Sequence, residues 1–347
     1  MDEKDRLLLT YLQNGLPLAL RPFDILSAKI GIDSAELLVR IQRLKKEGVF
    51  GEIKAVLDPR AFRYQSAWVA AQFKPEEFES NAKMFCQHPG VIYGCERKHE
   101  FNFWFFITVP DGHDLELHVR CLEKLADVSR TLFLPVRKVL KGADLLNALD
   151  AATFPVMNER FEKRETPRSS DLTEEEVRMI RQLQEPFPLT DEPCRKIAAD
   201  LKITENQALE WMKSIAKKGC LKRIGSSLRP AEVLPSARTL VVWQVPEEKL
   251  ERMGPAIAEA KEVLYADQRP VFAEFPYALH TVIRADASAG LEVSMRSVQD
   301  RIGKWPFREL VTVREFKKEP MKYFPKELDM WWRESRHVAE TAFHGST

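Results

Sequence analysis

The side chains able to do chemistry are concentrated in two runs of polar groups set among aromatics. In GVIYGCERKHEFNFWFFITVP (90 to 110), Arg97, His99, Asn102 and Trp104 fall within eight positions, with Tyr93 just before them. In VLYADQRPVFAEFPYALHTVI (263 to 283), Tyr265, Arg269, Phe275, Tyr277 and His280 follow a similar plan. Strand alternation would bring several of them to one face. Two basic stretches, LPVRKVLKG (134 to 142) and TVREFKKEPMKYF (312 to 324), add Arg137, Lys141, Arg314, Lys317 and Lys318. Guanidinium and ammonium groups among aromatic rings describe a pocket for a flat, multiply anionic ligand, in which rings cover the faces and cations receive the carboxylates. The competing reading makes the aromatics core and the cations solvated; two such runs at corresponding places in each half favour the pocket.

These runs need a scaffold, and the sequence supplies one twice. Residues spaced by 171 match over a long stretch: Leu16-Pro17-Leu18 returns as Phe187-Pro188-Leu189, and Pro75-Glu76-Glu77 as Pro246-Glu247-Glu248. The offset is 172 where Val91, Tyr93 and Arg97 meet Val263, Tyr265 and Arg269, and 177 where Val136-Arg137 meets Val313-Arg314. On that alignment Arg137 and Lys141 are the first-copy counterparts of Arg314 and Lys318. Each copy opens with helical periodicity, interrupted by a tight turn at Ile30-Gly31-Ile32 in the first copy, and reads as a winged helix-turn-helix. Alternating β-prone and helical segments follow in the order of a ferredoxin-like βαββαβ unit. The expected fold is α+β, two tandem modules of this kind. Expected boundaries are 1–54 and 55–150 for the first module, a linker at 151–170, 171–225 and 226–325 for the second, and a polar, disordered tail at 326–347.

Composition narrows the setting. With 44% apolar and 30% charged residues the chain is an ordinary globular protein. No apolar run approaches a membrane span, and the opening MDEKDRLLL lacks a secretory pattern, so a cytoplasmic location is expected. Fifty-three basic residues against 52 acidic ones leave no global field for a polyanion. The five scattered cysteines form no CxxC pair. His113 and His118, five apart on an expected helix, fall off one face, so no metal site is expected.

ERKHEFNFWF resembles the first-subunit motif of the sirohaem (siroheme) decarboxylases, enzymes of the alternative haem route and of haem d1 synthesis with the leucine-responsive regulator fold, usually built of two related subunits. RPVFAEFPYALH, VREFKKEPMKYF, KRIGSSLRP and VVWQVPEE are similar to second-subunit motifs, so the chain looks like a fused form over 1 to 325. The sequence departs from the family at Tyr93 and Tyr265, where a His is usual, and at Pro230, Ala278 and His280. The resemblance implies removal of the C12 and C18 acetate carboxylates of sirohaem as carbon dioxide, with iron arriving in the substrate and no separate cofactor. It implies an intramolecular pseudo-dimer, with related subunits and further homodimerisation left open.

On that reading Arg97, Arg269, Arg314, Lys317 and Lys318, with Arg137 and Lys141, are candidate carboxylate anchors, joined by Asn102, Trp104 and Tyr277 at the substrate. His99 is the first choice of general acid because imidazole titrates near neutrality. Tyr93, Tyr265 and His280 are alternative donors. Arg269→Ala is expected to weaken binding more than folding. The alternative function is a tetrapyrrole-responsive or vestigial DNA-binding regulator. Against it, the recognition-helix candidate Asp33 to Glu47 carries four basic and three acidic residues, and Glu205 to Lys218 three and two.

Overall fold

A computed structural model of the chain describes residues 1–128, 130–142, 172–226, 238–285 and 290–340. The expected linker at 151–170, the Leu228-Arg229-Pro230 string and His344 lie outside the described residues. The chain falls into two compact units that cut across the repeat. One is Met1–Tyr64 with Phe161–Val233 and Lys322–Pro325; the other is Gln65–Arg160 with Leu234–Met321 and Lys326–Thr347. Among the described residues no helix is long and apolar enough to cross a membrane.

The first unit gathers both helix-turn-helix elements. Copy one supplies α1 (Glu3–Asn14), α2 (Pro22–Ile30) and α3 (Ser34–Lys46). Asp33 caps α3 by accepting from the Glu36 amide at 2.8 Å, and Gly31 ends α2 in the left-handed region at φ 75°. Copy two supplies α6 (Glu174–Leu183), α7 (Pro193–Leu201) and α8 (Glu205–Lys217), with Thr173 and Thr204 forming capping boxes. One buried acid per copy ties the first helix to the third. Asp5 receives Arg40 at 2.9 Å and Arg43 at 2.7 Å, while Glu176 receives Ser214 and Lys218, each at 2.6 Å. Burial pushes the Asp5 carboxyl up, but these donors outweigh it and hold the group at about 2. The expected wings pair with each other: β1 (Lys54–Leu57) runs antiparallel to β7 (Leu221–Gly225), with Ala55 opposite Ile224.

The second unit holds two five-stranded antiparallel sheets. Copy one contributes β2 (Gln65–Ala71), α4 (Phe78–Gln87), β3 (Val91–Arg97), β4 (Phe103–Val109), α5 (Leu115–Leu125), β5 (Thr131–Leu134) and β6 (Lys138–Lys141). Copy two contributes β8 (Arg238–Trp243), α9 (Glu247–Glu259), β9 (Val263–Gln268), β10 (Leu279–Arg284), α10 (Gly290–Ile302), β11 (Phe307–Leu310) and β12 (Thr312–Lys318). The sheet orders are β12-β3-β4-β2-β5 and β11-β8-β10-β9-β6. Four strands of each sheet come from one copy and make the expected ferredoxin-like order. The fifth comes from the other copy, so the two basic closing stretches are exchanged.

Period-two alternation sorts the side chains between faces. In β4, Phe103, Phe105, Ile107 and Val109 pack in the helix-side core with Leu115, Val119 and Leu122 of α5. Trp104 turns the other way, into a core shared with Trp68, Tyr93, Leu240, Val242, Tyr265 and Phe275. That shared core joins the inner faces of the two sheets. The stretch expected as a disordered tail forms α11 (Lys326–Glu340) over its described part. Leu328 is buried and Trp331 packs on the helix-side core, so the charged sequence hides an apolar stripe.

Candidate active site

The inner layer brings together Tyr93, Arg97, Trp104, Tyr265, Arg269, Tyr277 and His280 from the two sequence runs. Arg97 ends β3 and is 2% exposed. Its Nη1 donates to the Leu310 carbonyl and to Thr312 Oγ1, and its guanidinium lies 5.8 Å from the Trp104 ring centroid. Its Nε and Nη2 are buried without a hydrogen-bond partner. His280 is fully buried, 6.4 Å from Trp104 and 5.9 Å from Phe275, and neither ring nitrogen has a well-formed hydrogen bond, the Tyr277 backbone being its nearby polar contact. Burial, with the nearby Arg269 and Arg97 charges, holds the His280 imidazole down to about 3. Unmet donors in a dry interior are costly, and few native groups are left so. Both groups lie near the ring of Trp104.

His99 stands at the edge of this layer, half-buried, its ring against Phe101 and 5.6 Å from Phe275. Its Nδ1 accepts from the Phe101 amide at 3.1 Å, which leaves the proton of the neutral ring on Nε2. Burial lowers its pKa. Tyr93 donates to Glu315 Oε1 at 2.9 Å, and Tyr265 donates to Asp267 Oδ2 at 2.8 Å. Burial pushes the Tyr93 hydroxyl above its ordinary value, so it stays protonated. Lys318 lies on the same carboxylate, 3.4 Å from Glu315 Oε2.

The remaining expected anchors are placed otherwise. Arg269 is not open to a ligand: Asp267 takes its Nε at 3.0 Å and its Nη2 at 2.5 Å, and the Leu134 carbonyl takes its Nη1 at 2.9 Å. Asn102 fixes a turn by bonding both the amide and the carbonyl of Phe73, each at 2.9 Å. Lys317 and Lys141 lie on the helix side of their sheets. Lys317 donates to the Cys86 carbonyl at 2.8 Å at the end of α4, and Lys141 to the Ala260 carbonyl at the end of α9. A cation on the last carbonyls of a helix satisfies them and complements its dipole. Arg314 pairs with Glu79 at 2.8 Å and Arg137 with Glu247 at 2.8 Å, all four about half exposed.

Register also corrects the alignment of the closing strands. Lys317 faces Gly94 as Lys141 faces Ala266, and Arg314 faces Glu96 as Lys138 faces Gln268. The counterpart of Lys141 is therefore Lys317, and that of Arg314 is Lys138. β-bulges in both strands shift the pairing, and a count along the sequence cannot see them.

Sequence reasoning missed Asp267, Glu315 and Cys95. The first could have been found, because two residues before an Arg in a strand means the same face. The histidine pair was also misjudged. His113 precedes α5 rather than lying on it, so it folds back to His118, Nδ1 to Nε2 at 3.0 Å. His118 Nδ1 meets His88 Nε2 at 2.9 Å, and the Gly90 amide donates to His88 Nδ1 at 2.9 Å. That amide fixes the direction: each neutral ring carries its proton on Nε2 and passes it toward His113. Trp331 and Trp332 of α11 stack on His118 at 5.5 and 4.2 Å. Among the described residues no group of three or more His, Cys, Asp or Glu is placed to hold a metal ion.

In the helix-turn-helix unit, Arg40, Arg43 and Lys45 of the first recognition-helix candidate are ion-paired. Arg40 bonds Asp2 at 2.7 Å and Glu36 at 2.7 Å in addition to Asp5. An open groove of this unit is lined by the cations Arg21, Arg195 and Lys196 and by the acids Asp24, Asp191 and Glu192.

Comparison with known proteins bears on both units. Residues 5–50 and 173–221 match the family model of the siroheme decarboxylase NirDL-like HTH domain, and residues 62–141 and 236–317 match that of the AsnC-like ligand binding domain. The chain is similar to the siroheme decarboxylase of Hydrogenobacter thermophilus, 30% identical over 328 residues, 94% of this chain and 97% of the relative. It is similar over 143 residues, 41% of its length, to the siroheme decarboxylase beta subunit of Methanosarcina barkeri, at 27% identity and 94% of that subunit. Its fold matches the crystal structure of the siroheme decarboxylase NirDL in co-complex with an iron-uroporphyrin III analogue, with a TM-score of 0.71 and 28% identity over 98% of this chain and 100% of that one.

Proposed function

The chain belongs to the sirohaem decarboxylase family, and from that premise we propose that it is a carboxy-lyase, a fused form that converts sirohaem to didecarboxysirohaem and carbon dioxide at the inner layer of its paired sheets. The observation that carries this is the buried pair of unmet groups, Arg97 Nε/Nη2 and His280, in a layer of aromatic rings. The carboxylates lost are those of the C12 and C18 acetates of the macrocycle, each of which becomes a methyl group. As each C–C bond breaks, its electron pair passes to the carbon left on the ring, where the conjugated macrocycle spreads it, and a proton completes the methyl group. The step is redox-neutral.

The residues divide the work according to charge. A guanidinium on the departing carboxylate would hold the charge that has to leave, stabilising the ground state more than the transition state. Arg97 therefore grips a retained carboxylate and fixes the macrocycle in place. His280 is the proton donor. Burial keeps it neutral, and the carboxylates of the incoming substrate raise its pKa and charge it, so substrate binding brings the proton with it. His99 at the edge and the protonated Tyr93 are further donors, and Trp104 and Tyr277 cover the macrocycle. The iron belongs to the substrate.

Anaerobic incubation of the purified protein with sirohaem tests this by mass: loss of one or two carbon dioxides is expected, with proton uptake on binding in unbuffered solution. Unchanged mass together with specific, salt-sensitive duplex binding would instead support a regulator. The ion-paired Arg40 and a groove whose cations are matched by as many acids count against that second reading.

A further inference from the structure

The two copies place an arginine at the same point of the same strand, and only one of the two is finished. Tyr93, Cys95 and Arg97 in β3 correspond to Tyr265 and Asp267 in β9 and to Arg269 directly after it. The match extends to the main chain: the Arg97 amide donates to the Asn102 carbonyl at 2.8 Å and the Arg269 amide to the Ala278 carbonyl at 2.9 Å. It extends to Nη1 as well, which reaches the Leu310 carbonyl from Arg97 and the Leu134 carbonyl from Arg269, each the last residue of a strand of the other copy. The copies part at the other edge of the guanidinium. Asp267 covers Nε and Nη2 of Arg269 at 3.0 and 2.5 Å, and it also accepts from Tyr265. Cys95 stands in the place of Asp267 with its neutral thiol beside Arg97, and Nε and Nη2 of Arg97 make no hydrogen bond like those Arg269 makes to Asp267. Both arginines are buried, at 2% and 0% exposed. Parallel N–H bonds from Nε and Nη2 form a fork that fits one carboxylate.

We propose that Asp267 is a built-in carboxylate that permanently fills the receptor of copy two, so that one chain takes one sirohaem, with a substrate carboxylate on the Arg97 fork, and the residue at 95 or 267 decides which copy is open. The proposal rests on the decarboxylase reading for the identity of the ligand, while the receptor itself rests on the geometry. The tyrosines are engaged differently in the two copies: Tyr265 donates to the same Asp267 and Tyr93 to Glu315 of β12.

Two probes, sirohaem and plain acetate, test this on the full chain. Wild-type protein should bind one sirohaem in an anaerobic absorbance titration, and its melting temperature should rise with acetate. Cys95→Asp puts a carboxylate beside Arg97: affinity should fall roughly a hundredfold or more, and the acetate response should vanish. Cys95→Asn, similar in size but neutral, should keep both. The exchange Cys95→Asp/Asp267→Cys should restore a single site at Arg269, and if that double variant does not fold, the two single variants still decide. Two sirohaems per wild-type chain, wild-type behaviour of Cys95→Asp, or equal loss in Cys95→Asn would overturn the inference. An acetate response that is lost in Cys95→Asp, without sirohaem binding by wild type, would overturn the decarboxylase reading and leave the receptor supported.

Discussion

Two regions of the second unit bury histidine, and they do it in opposite ways. On the helix side, His88 and His118 are fully buried, yet their ring nitrogens are joined in a chain that ends at the Gly90 amide on one side and at the half-buried His113 on the other. In the inner layer, His280 is equally buried and has neither nitrogen satisfied. Burial holds all three below the ordinary imidazole value, by desolvation first. A depressed pKa alone therefore does not mark a reacting histidine; the role proposed for His280 rests on its unmet hydrogen bonds. The arginines repeat the contrast, Arg269 completed by Asp267 and Arg97 left open.

The contrast can be broken most forcefully at the arginines. Arg269→Met should cost about 3–5 kcal/mol of stability, because Asp267 is left buried and unpaired. Arg97→Met removes two unmet donors along with its bonds to Leu310 and Thr312, so stability should stay within about 1 kcal/mol while sirohaem binding is lost. Urea unfolding beside a titration separates the two, and similar destabilisation by both would erase the distinction. The Asp267 pair thereby reverses the ranking expected from sequence for Arg269→Ala, where folding should suffer more than binding.

The histidines give the next effects. His280→Phe should leave the fold intact and lower turnover about 10²–10⁴-fold. His118→Phe should instead cost about 1–3 kcal/mol, by stranding His88 Nε2–H and His113 Nδ1, with turnover unaltered. Normal turnover in His280→Phe would remove that residue from the mechanism.

Acidification should read the same groups. His118 is held to about 3 and His88 well below 6.5, so the folded protein takes up fewer protons than the unfolded chain. Their stabilising effect is complete above about pH 6.5 and is lost as pH falls toward 3, at up to about 1.4 kcal/mol per pH unit for each ring. Melting temperatures between pH 7 and 5 should fall in wild type and fall less in His118→Phe. The smallest effects belong to the exchanged strands: Lys141→Met and Lys317→Met should each cost about 0.3–1 kcal/mol through a lost helix C-terminal cation, without changing turnover.

Much of the scaffold was legible because it is written in local signals. The repeat, the capped helices and the alternation of β2 to β5 follow from periodicity and from residues such as Asp33 and Gly31. The placement of the candidate residues was legible in part. Tyr93, Arg97, Trp104, Tyr265, Tyr277 and His280 do share a layer, since each strand turns alternate residues to one face. The roles given to Arg269, Lys141, Lys317, Arg137 and Arg314 were not legible, because a cation in a sequence does not name its partner. Asp267, Glu79, Glu247 and two helix ends had claims on them that only folding reveals. The tail was misread because its charges outnumber the few apolar residues that dock it.

What the sequence determined by itself was two copies of one plan and the aromatic, cationic character of their inner strands, properties fixed by residue type and spacing along the chain. What only the tertiary structure decided was the exchange of β6 and β12 between sheets and the choice of which arginine is left open. Both turn on pairings between residues far apart in sequence or shifted by bulges, where a single backbone register, rather than composition, sets whether a charge finds its counterpart.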